Sequence, residues 1–181
     1  NSTFVVDGVG SGTVDLGNVT FDGLESLDGG AGNDSFTVAN TGSIGTLAGG
    51  DGIDALTGSD DSETFNVTTP GAGTLVRGAT TINFNTMENL NGQGGNDTFD
   101  IDAELDGSID GGDDDDTFEI DANVNGNVTG GLGDDDFEVA LALNAAAIID
   151  GNLAGGAGTN TLTLNVLAGE ITGTVTDVTA M

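Results

Sequence analysis

Alternation of apolar and polar residues is the dominant pattern along this chain. In residues 99–105 and again in residues 118–124 every second residue is apolar, which is the period of a half-buried β-strand. The intervening residues are acidic or polar and are expected to face solvent. No segment combines the helical period with helix-capping residues. The pattern therefore predicts an all-β chain.

A glycine-rich phrase separates the predicted strands and recurs along the sequence. Its first copy, GGAGNDSFT, occupies residues 29–37; further copies begin at residues 49, 92, 111, 130 and 155, and a weaker copy begins at residue 58. The sixth position of the clear copies holds Asp34, Asp54, Asp97, Asp116, Asp135 and Asn160. The commonest spacing is about 19–20 residues, within the range of solenoid repeats. The sequence predicts a right-handed parallel β-solenoid, of the β-roll or β-helix kind.

A longer repeat lies over the short one. Residues 21–36 align with residues 84–99 at a constant offset of 63, and Phe4 and Phe65 open similar stretches. We expect a single elongated solenoid over residues 1–181, with related halves at about 1–62 and 63–125 and C-terminal coils at 126–181. The aromatic residues that follow the turns are expected in the core: Phe36, Phe99, Phe118 and Phe137.

The net charge of the chain limits the classes of partner that it can bind. The chain has 31 acidic residues and one basic residue, Arg77, for a net charge of −30. Nucleic acid is excluded as a partner because phosphate binding needs a basic surface. No apolar stretch is long enough to insert into a membrane. We interpret Arg77 as an incidental surface charge, and the acidic strand residues as a solvated face: Asp100, Asp102, Glu104, Glu119 and Asp121. The alternative for this face is a surface that binds calcium loosely and bridges neighbouring molecules.

The regular spacing of Asp predicts a cation partner. Equivalent residues of stacked coils lie about 4.8 Å apart, where two carboxylates repel by about 1 kcal/mol in water and about 3–4 kcal/mol at an effective dielectric near 20. A divalent ion between Asp97, Asp116 and Asp135 would turn this repulsion into attraction. Calcium accepts carboxylate and carbonyl oxygens in flexible geometry, and the chain has no His or Cys for softer metals. The alternative is that each Asp only caps its own tight turn.

The glycine-rich phrases resemble the calcium-binding G-G-x-G-x-D-x-U-x repeats of hemolysin-type (RTX) proteins, in which U is a large apolar residue. The resemblance implies calcium ligands at the sixth position and at turn carbonyls: Asp34, Asp54, Asp97, Asp116 and Asp135, with carbonyls near Gly30, Gly50, Gly112 and Gly131, and additional oxygens from Asp113, Asp114 and Asp134. Asp114 and Gln93 replace turn glycines, and Asn160 replaces a ligand. Calcium is expected along one edge, or at fewer sites than there are Asp residues.

Together these features favour a calcium-binding structural or adhesive repeat segment outside the cell, on a bacterial surface, that folds and stiffens when calcium binds. Further partners are copies of the chain itself, end to end or side by side, and surface glycans. The alternative is a polysaccharide-binding accessory module or a carbohydrate-active β-solenoid enzyme. We expect no enzymatic activity, because the chain has no His, Cys, Lys or Tyr and its carboxylates follow the repeat.

Overall fold

Two β-sheets make up the fold. The computed structural model describes residues 1–15, 19–142, 149–167 and 178–179. Sheet 1 contains β1 (Thr3–Gly8), β2 (Ser11–Val14), β3 (Val19–Phe21), β5 (Ser35–Val38), β7 (Ala55–Thr57), β11 (Asn89–Gln93), β13 (Ile109–Asp113), β15 (Val128–Leu132), β17 (Leu153–Ala157) and β19 (Val178–Thr179). Sheet 2 contains β4 (Ser26–Ala31), β6 (Thr46–Asp51), β8 (Thr64–Thr69), β9 (Ala72–Arg77), β10 (Thr80–Asn85), β12 (Thr98–Ile101), β14 (Thr117–Ile120), β16 (Asp136–Ala142) and β18 (Thr161–Leu167).

From β10 onward the chain passes alternately from one sheet to the other, so that each coil stacks on the one before it. Neighbouring strands of successive coils are parallel and in register, as in the pairing of Phe99 with Phe118 and of Phe118 with Phe137. The described residues contain no helix, and so none that could span a membrane. The all-β class of the prediction is confirmed, whereas the right-handed winding stays a prediction. Residues 143–148, 168–177 and 180–181 of the predicted C-terminal coils lie outside the described residues.

Two antiparallel meanders interrupt the parallel stacking that the sequence predicts. Strands β1, β2 and β3 form the first meander, in sheet 1, and strands β8, β9 and β10 form the second, in sheet 2. The first turn of each contains a glycine in the left-handed region, Gly10 at φ 61° and Gly71 at φ 62°. A glycine adopts this conformation at no steric cost, so the chain reverses within its sheet instead of crossing to the other.

Apolar side chains fill the space between the sheets. Phe36, Phe99, Phe118 and Phe137 are fully buried, as the alternation predicted. They form two separate stacks. Phe36 lies 4.7 Å from Phe4 in sheet 1, whereas the rings of Phe65, Phe99, Phe118 and Phe137 follow one another in sheet 2 at centroid separations of 4.5–5.1 Å. The near-parallel rings are a direct result of in-register pairing.

Candidate functional site

The five predicted Asp ligands are all buried, each at a corner where the chain leaves one sheet for the other. Asp34 and Asp54 lie where the chain passes from sheet 2 to sheet 1. Asp97, Asp116 and Asp135 lie at the opposite edge, where it passes from sheet 1 to sheet 2. The residues therefore form two rows, which we call row 1 and row 2, and not one row along a single edge.

Each row is held together by hydrogen bonds between coils. The backbone N–H of Asp97 donates to Asp116 Oδ1 at 2.8 Å, and that of Asp116 donates to Asp135 Oδ1 at 3.0 Å. Row 2 begins at Glu63, whose N–H donates to Asp97 Oδ1, and ends at Asn160, which accepts from Asp135 at 2.8 Å. The Asp carboxylates thus bond to the backbone of the preceding coil, whereas the Glu63 carboxylate accepts from the N–H of Ser59 in its own turn at 3.1 Å. Each Asp carboxylate stabilises the stacking of two coils.

Row 1 has the same kind of hydrogen bonds between coils but spans fewer coils than row 2. The N–H of Asp34 donates to Asp54 Oδ1 at 2.6 Å, and the N–H of Asp54 donates to Glu88 Oε2 at 2.6 Å. Ser2 also donates its N–H to Asp34. Glu88 and Glu63 therefore occupy row positions that the ligand prediction did not include. Glu63 could have been found, because it is the sixth residue of the weak glycine-rich copy that begins at residue 58.

The second oxygen of each Asp has no hydrogen-bond partner. Oδ2 is buried and unpartnered in Asp34, Asp54, Asp97, Asp116 and Asp135. An unsatisfied buried acceptor costs about 1–3 kcal/mol, and more when it is charged. The five atoms leave each row with acceptors that a proton, a water molecule or a cation could satisfy.

The first glycine of each phrase makes room for this free oxygen. A Cβ on Gly92 would lie closer than 3.0 Å both to Asp97 Oδ2 and to the carbonyl oxygen of Gly111 in the next coil. The same pair of oxygens, one carboxylate and one carbonyl, crowds Gly29, Gly111 and Gly130. Glycine is therefore required at this position because any side chain would displace the carboxylate.

The turn glycines predicted to supply carbonyl ligands adopt left-handed conformations. Gly30, Gly50, Gly112 and Gly131 have φ between 90° and 120°. Gln93 and Asp114, which replace turn glycines, keep the same geometry at φ 77° and 76°. Gln93 Nε2 donates to the carbonyl oxygen of Gly58 at 2.9 Å, and Asp114 Oδ2 accepts from the N–H of Gly95 at 3.2 Å. These bonds help the two side chains to hold a conformation that favours glycine.

The other predicted oxygens lie outside the rows. Asp113, Asp114 and Asp134 are exposed on the turns. Asp134 Oδ1 accepts from the N–H of Thr159 at 2.6 Å, and Asp115, which the ligand prediction did not include, accepts from the N–H of Asp134 at 2.8 Å. Among the residues that the structure describes, no three acidic side chains converge closely enough to hold a metal ion by themselves. Backbone carbonyls and water would have to complete any cation site.

Arg77 is part of row 2, contrary to its interpretation as an incidental surface charge. Its side chain is only 12% exposed and lies 3.2 Å from Glu63 Oε1. Nη1 also donates to Ser59 Oγ at 3.1 Å, and Nη2 donates to the carbonyl oxygen of Gly42 at 2.6 Å. The single basic residue of the sequence therefore neutralises the carboxylate that begins row 2. The sequence pattern could not show this, because Arg77 belongs to the second meander and is brought to the row by β9.

Burial raises the pKa values of the carboxylates in row 2. It raises the pKa of Asp97 from 3.8 to about 8, with a further contribution from the charges of Glu63 and Asp116. It raises the pKa of Asp116 to about 7, again with help from neighbouring carboxylates, among them Asp135. The pKa of Asp135 is also raised, chiefly by burial. Without a cation, the row is therefore able to hold protons near neutral pH.

No family model, curated protein sequence or solved structure matches this chain.

We predict that Gly92→Ala destabilises the protein by about 1–3 kcal/mol, because its methyl group would overlap the Asp97 carboxylate. Gly94→Ala, two residues along the same turn, is the matched control: its methyl group would meet its nearest neighbour at 3.8 Å, an ordinary contact. Its effect should stay within about 0.5 kcal/mol. Urea denaturation measures both changes. Equal losses for the two variants would contradict the assignment.

We predict that Arg77→Met destabilises the protein by about 3–5 kcal/mol, because it leaves the Glu63 carboxylate buried without its counter-charge. The double variant Arg77→Met with Glu63→Gln removes both charges and should recover most of that loss. The comparison is made by urea denaturation at neutral pH. Additive losses in the double variant would show that the two side chains do not act as a pair.

The raised pKa values predict a pH dependence of the metal-free protein. Protons on Asp97 and Asp116 stabilise the fold fully below the unfolded pKa of about 4, and this contribution is lost as pH rises through the folded values of about 8 and 7. The melting temperature in chelator should therefore fall between pH 5 and pH 9. Circular dichroism melts measure it. A melting temperature that rises over this interval would contradict protonation of the row.

Proposed function

We propose that this chain is a non-enzymatic structural segment: an acidic, right-handed parallel β-solenoid that works outside the cell and is stiffened by calcium. The observation that carries the proposal is the set of five buried Asp side chains, each with one oxygen bonded to the neighbouring coil and one oxygen unpartnered. A buried charge without a partner is costly. Apart from Arg77 beside Glu63 and the N-terminal ammonium group 3.8 Å from Asp34 Oδ1, the described residues bring no positive group to the rows, which therefore need a positive partner from solvent.

The charge balance explains why that partner comes from solvent. Arg77 is the only basic side chain, and its closest carboxylate is that of Glu63, 3.2 Å away. Asp97, Asp116 and Asp135 follow in the same row with no basic side chain left to neutralise them. A proton or a metal ion can act as the positive partner of these carboxylates. Protonation is favoured in mildly acidic solution, and a metal ion becomes the better partner as pH rises.

The ligand atoms available in the rows and turns are of the type that calcium prefers. The rows and turns offer carboxylate and carbonyl oxygens, which calcium accepts in sets of six to eight, and the chain has no His or Cys. The residues that would hold it are those named from the sequence: the row residues Asp34, Asp54, Asp97, Asp116 and Asp135, the carbonyls of Gly30, Gly50, Gly112 and Gly131, and the exposed Asp113, Asp114 and Asp134. Bound calcium would supply positive charge between coils. Because acidic side chains alone do not complete a site, a moderate affinity is expected.

A moderate affinity suits an extracellular or bacterial cell-surface location, where calcium is abundant. There the segment would order when it meets calcium, because binding energy that exists only in the folded state adds to its stability. Its role would be to extend and stiffen a larger surface or adhesive structure. The large negative charge, −30 over 181 residues, keeps such a segment soluble.

We predict that calcium raises the melting temperature and that the increase is larger at pH 8 than at pH 5.5, since protons compete for the same carboxylates. The measurement is differential scanning calorimetry in calcium and in chelator at both pH values. Magnesium at the same concentration is the control, because its stricter octahedral geometry suits these flexible turns less well. Identical melting with calcium and with chelator at pH 8 would remove calcium from the proposal.

We predict that Asp116→Asn raises the melting temperature of the chelated protein at pH 8, by a few degrees for about 1–3 kcal/mol. Asn160 occupies the equivalent position of the last coil and accepts the same bond from Asp135, so an amide is compatible with the row. The variant should also bind less calcium, which isothermal titration calorimetry measures. A variant less stable than the parent in chelator would show that the charge of Asp116 is not a burden.

A further inference from the structure

In the part of the chain that the structure describes, the end formed by β3 and β4 carries an apolar surface that is only partly covered. Val19 is 58% exposed and Leu24 is 41% exposed. Phe21 is partly buried, and Leu27, on β4, is 8% exposed. Strands β3 and β4 end the two sheets, so among the described residues no strand pairs with their outer edges. We call Val19, Phe21, Leu24 and Leu27 the end patch.

The internal repeat shows how such a surface is covered elsewhere in the same chain. At the offset of 63 residues, the end patch corresponds to Ile82, Phe84, Met87 and Leu90, which are exposed by only 1%, 2%, 0% and 2%. Strand β6 pairs with β10, placing Leu47 beside Phe84. Strand β7 pairs with β11, placing Leu56 beside Leu90. One coil, β6 with β7, therefore provides strands beside both halves of this second surface.

The glycine turn at the end of β4 also lacks a coil stacked against Gly30. A Cβ on Gly50, Gly112, Gly131 or Gly156 would collide with a backbone carbonyl of the preceding coil, whereas a Cβ on Gly30 would meet nothing within 4 Å. Gly30 is thus a stacking position with no coil against it. Two residues further along, Asn1 lies against Gly32, and its Oδ1 accepts from the N–H of Asn33 at 2.8 Å, so a docking coil must also displace Asn1.

The C-terminal coil has the sequence and the placement that this open position requires. Residues 152–163, NLAGGAGTNTLT, match residues 46–57, TLAGGDGIDALT, at seven of twelve positions. β17 lies in sheet 1 with β3, and β18 lies in sheet 2 with β4, so parallel stacking of two molecules would continue both sheets. The outer edge of β18 carries no strand among the described residues.

Charge favours this pairing. Asp22, Glu25 and Asp28 are exposed around the end patch. Residues 151–167 contain no charged residue, and Asn160 replaces the row Asp. The C-terminal coil is therefore able to approach an acidic surface without like-charge repulsion, which coils bearing a buried Asp and acidic turns would suffer.

We propose that the end patch is the docking surface for the C-terminal coil of a second copy of this chain, so that molecules associate head to tail. By the register of β7 on β11, β18 of one copy pairs with β4 of the next, with Leu162 beside Leu27 and Thr163 beside Asp28. β17 takes the place beside β3, as β6 does beside β10. Residues 178–179, which pair with Leu153 and Ala154 on that edge of β17, must leave it. The association does not itself require calcium.

The first test compares exposed apolar residues inside and outside the patch. Leu24→Asn and Val19→Asn should each weaken association at least about tenfold, because each removes an apolar side chain that docking would bury. Ile53→Asn and Leu132→Asn are matched controls, since these residues are 59% and 55% exposed on other turns. Sedimentation velocity over a concentration series measures the dissociation constants. Calcium and about 0.3 M salt are present, so that the fold is supported and surface charges are screened.

The second test addresses the register. In about 0.05 M salt, where charges are less screened, Thr163→Asp should weaken association by placing a second carboxylate beside Asp28, and adding Asp28→Lys to the same chain should restore it. Circular dichroism melts of every variant check that the fold is kept. A parent that is monomeric throughout the series would overturn the proposal, as would equal effects of patch and control variants or no rescue by Asp28→Lys. Because calcium is present in every sample, these failures would leave the proposed calcium role untouched.

Discussion

Parallel coils in register place equivalent side chains directly above one another at one strand spacing, and in this chain those side chains include buried carboxylates. Apolar groups gain from such stacking, as the rows of Phe rings show. Carboxylates do not, because each adds a charge at a distance where repulsion is strong and water is absent. Several features of the structure reduce the free-energy cost of these stacked carboxylates.

The first such feature is that one oxygen of each carboxylate accepts a hydrogen bond from the backbone. Each row Asp takes the N–H of the equivalent residue in the preceding coil, so that the carboxylate holds two coils together. The second is to leave room for the other oxygen, which is why the first position of the phrase is glycine at Gly92, Gly111 and Gly130. The third is to pair Glu63 at one end of row 2 with Arg77, and to end the row at the other with an uncharged residue, Asn160, that accepts the Asp135 N–H. The interior of the row is left half-satisfied, and a half-satisfied polar network is costly in a low-dielectric interior.

Much of this could be predicted from the sequence, because strand alternation and the glycine-rich phrase are local patterns. The β-class, the buried Phe residues and the placement of Asp at turns all follow from them. The division of the Asp residues between two edges does not. Asp97 follows Asp54 by 43 residues, about the length of two coils, which suggests the same edge. The second meander places five strands, β7 to β11, between these residues, and an odd number of passes ends at the opposite edge.

The sequence pattern also does not determine the direction in which the Asp side chains point. A GGxGxD phrase fixes where the Asp lies along the chain, but not whether its carboxylate points to solvent or toward the backbone of the neighbouring coil. That choice depends on the space beside Gly92 and its equivalents, and on the N–H groups left unpaired at each corner, both of which exist only after the coils have stacked. Arg77 is the same kind of case, since its partner Glu63 becomes its neighbour only when β9 folds back against β8.

The ends of the molecule follow from the same constraint. A coil that adds to a row of buried Asp residues increases the repulsion within the row, so an extension is least costly where the added coil is neutral. Residues 151–167 are such a coil, with an amide at the row position and no charge on their strands. The β3–β4 end is its counterpart, acidic at its surface and apolar at its centre. Joining the two would continue both sheets and both apolar layers, and it would place the uncharged Asn160 opposite Glu25, the equivalent of the row residue Glu88. Joining any two Asp-bearing coils would instead place two carboxylates together in one row.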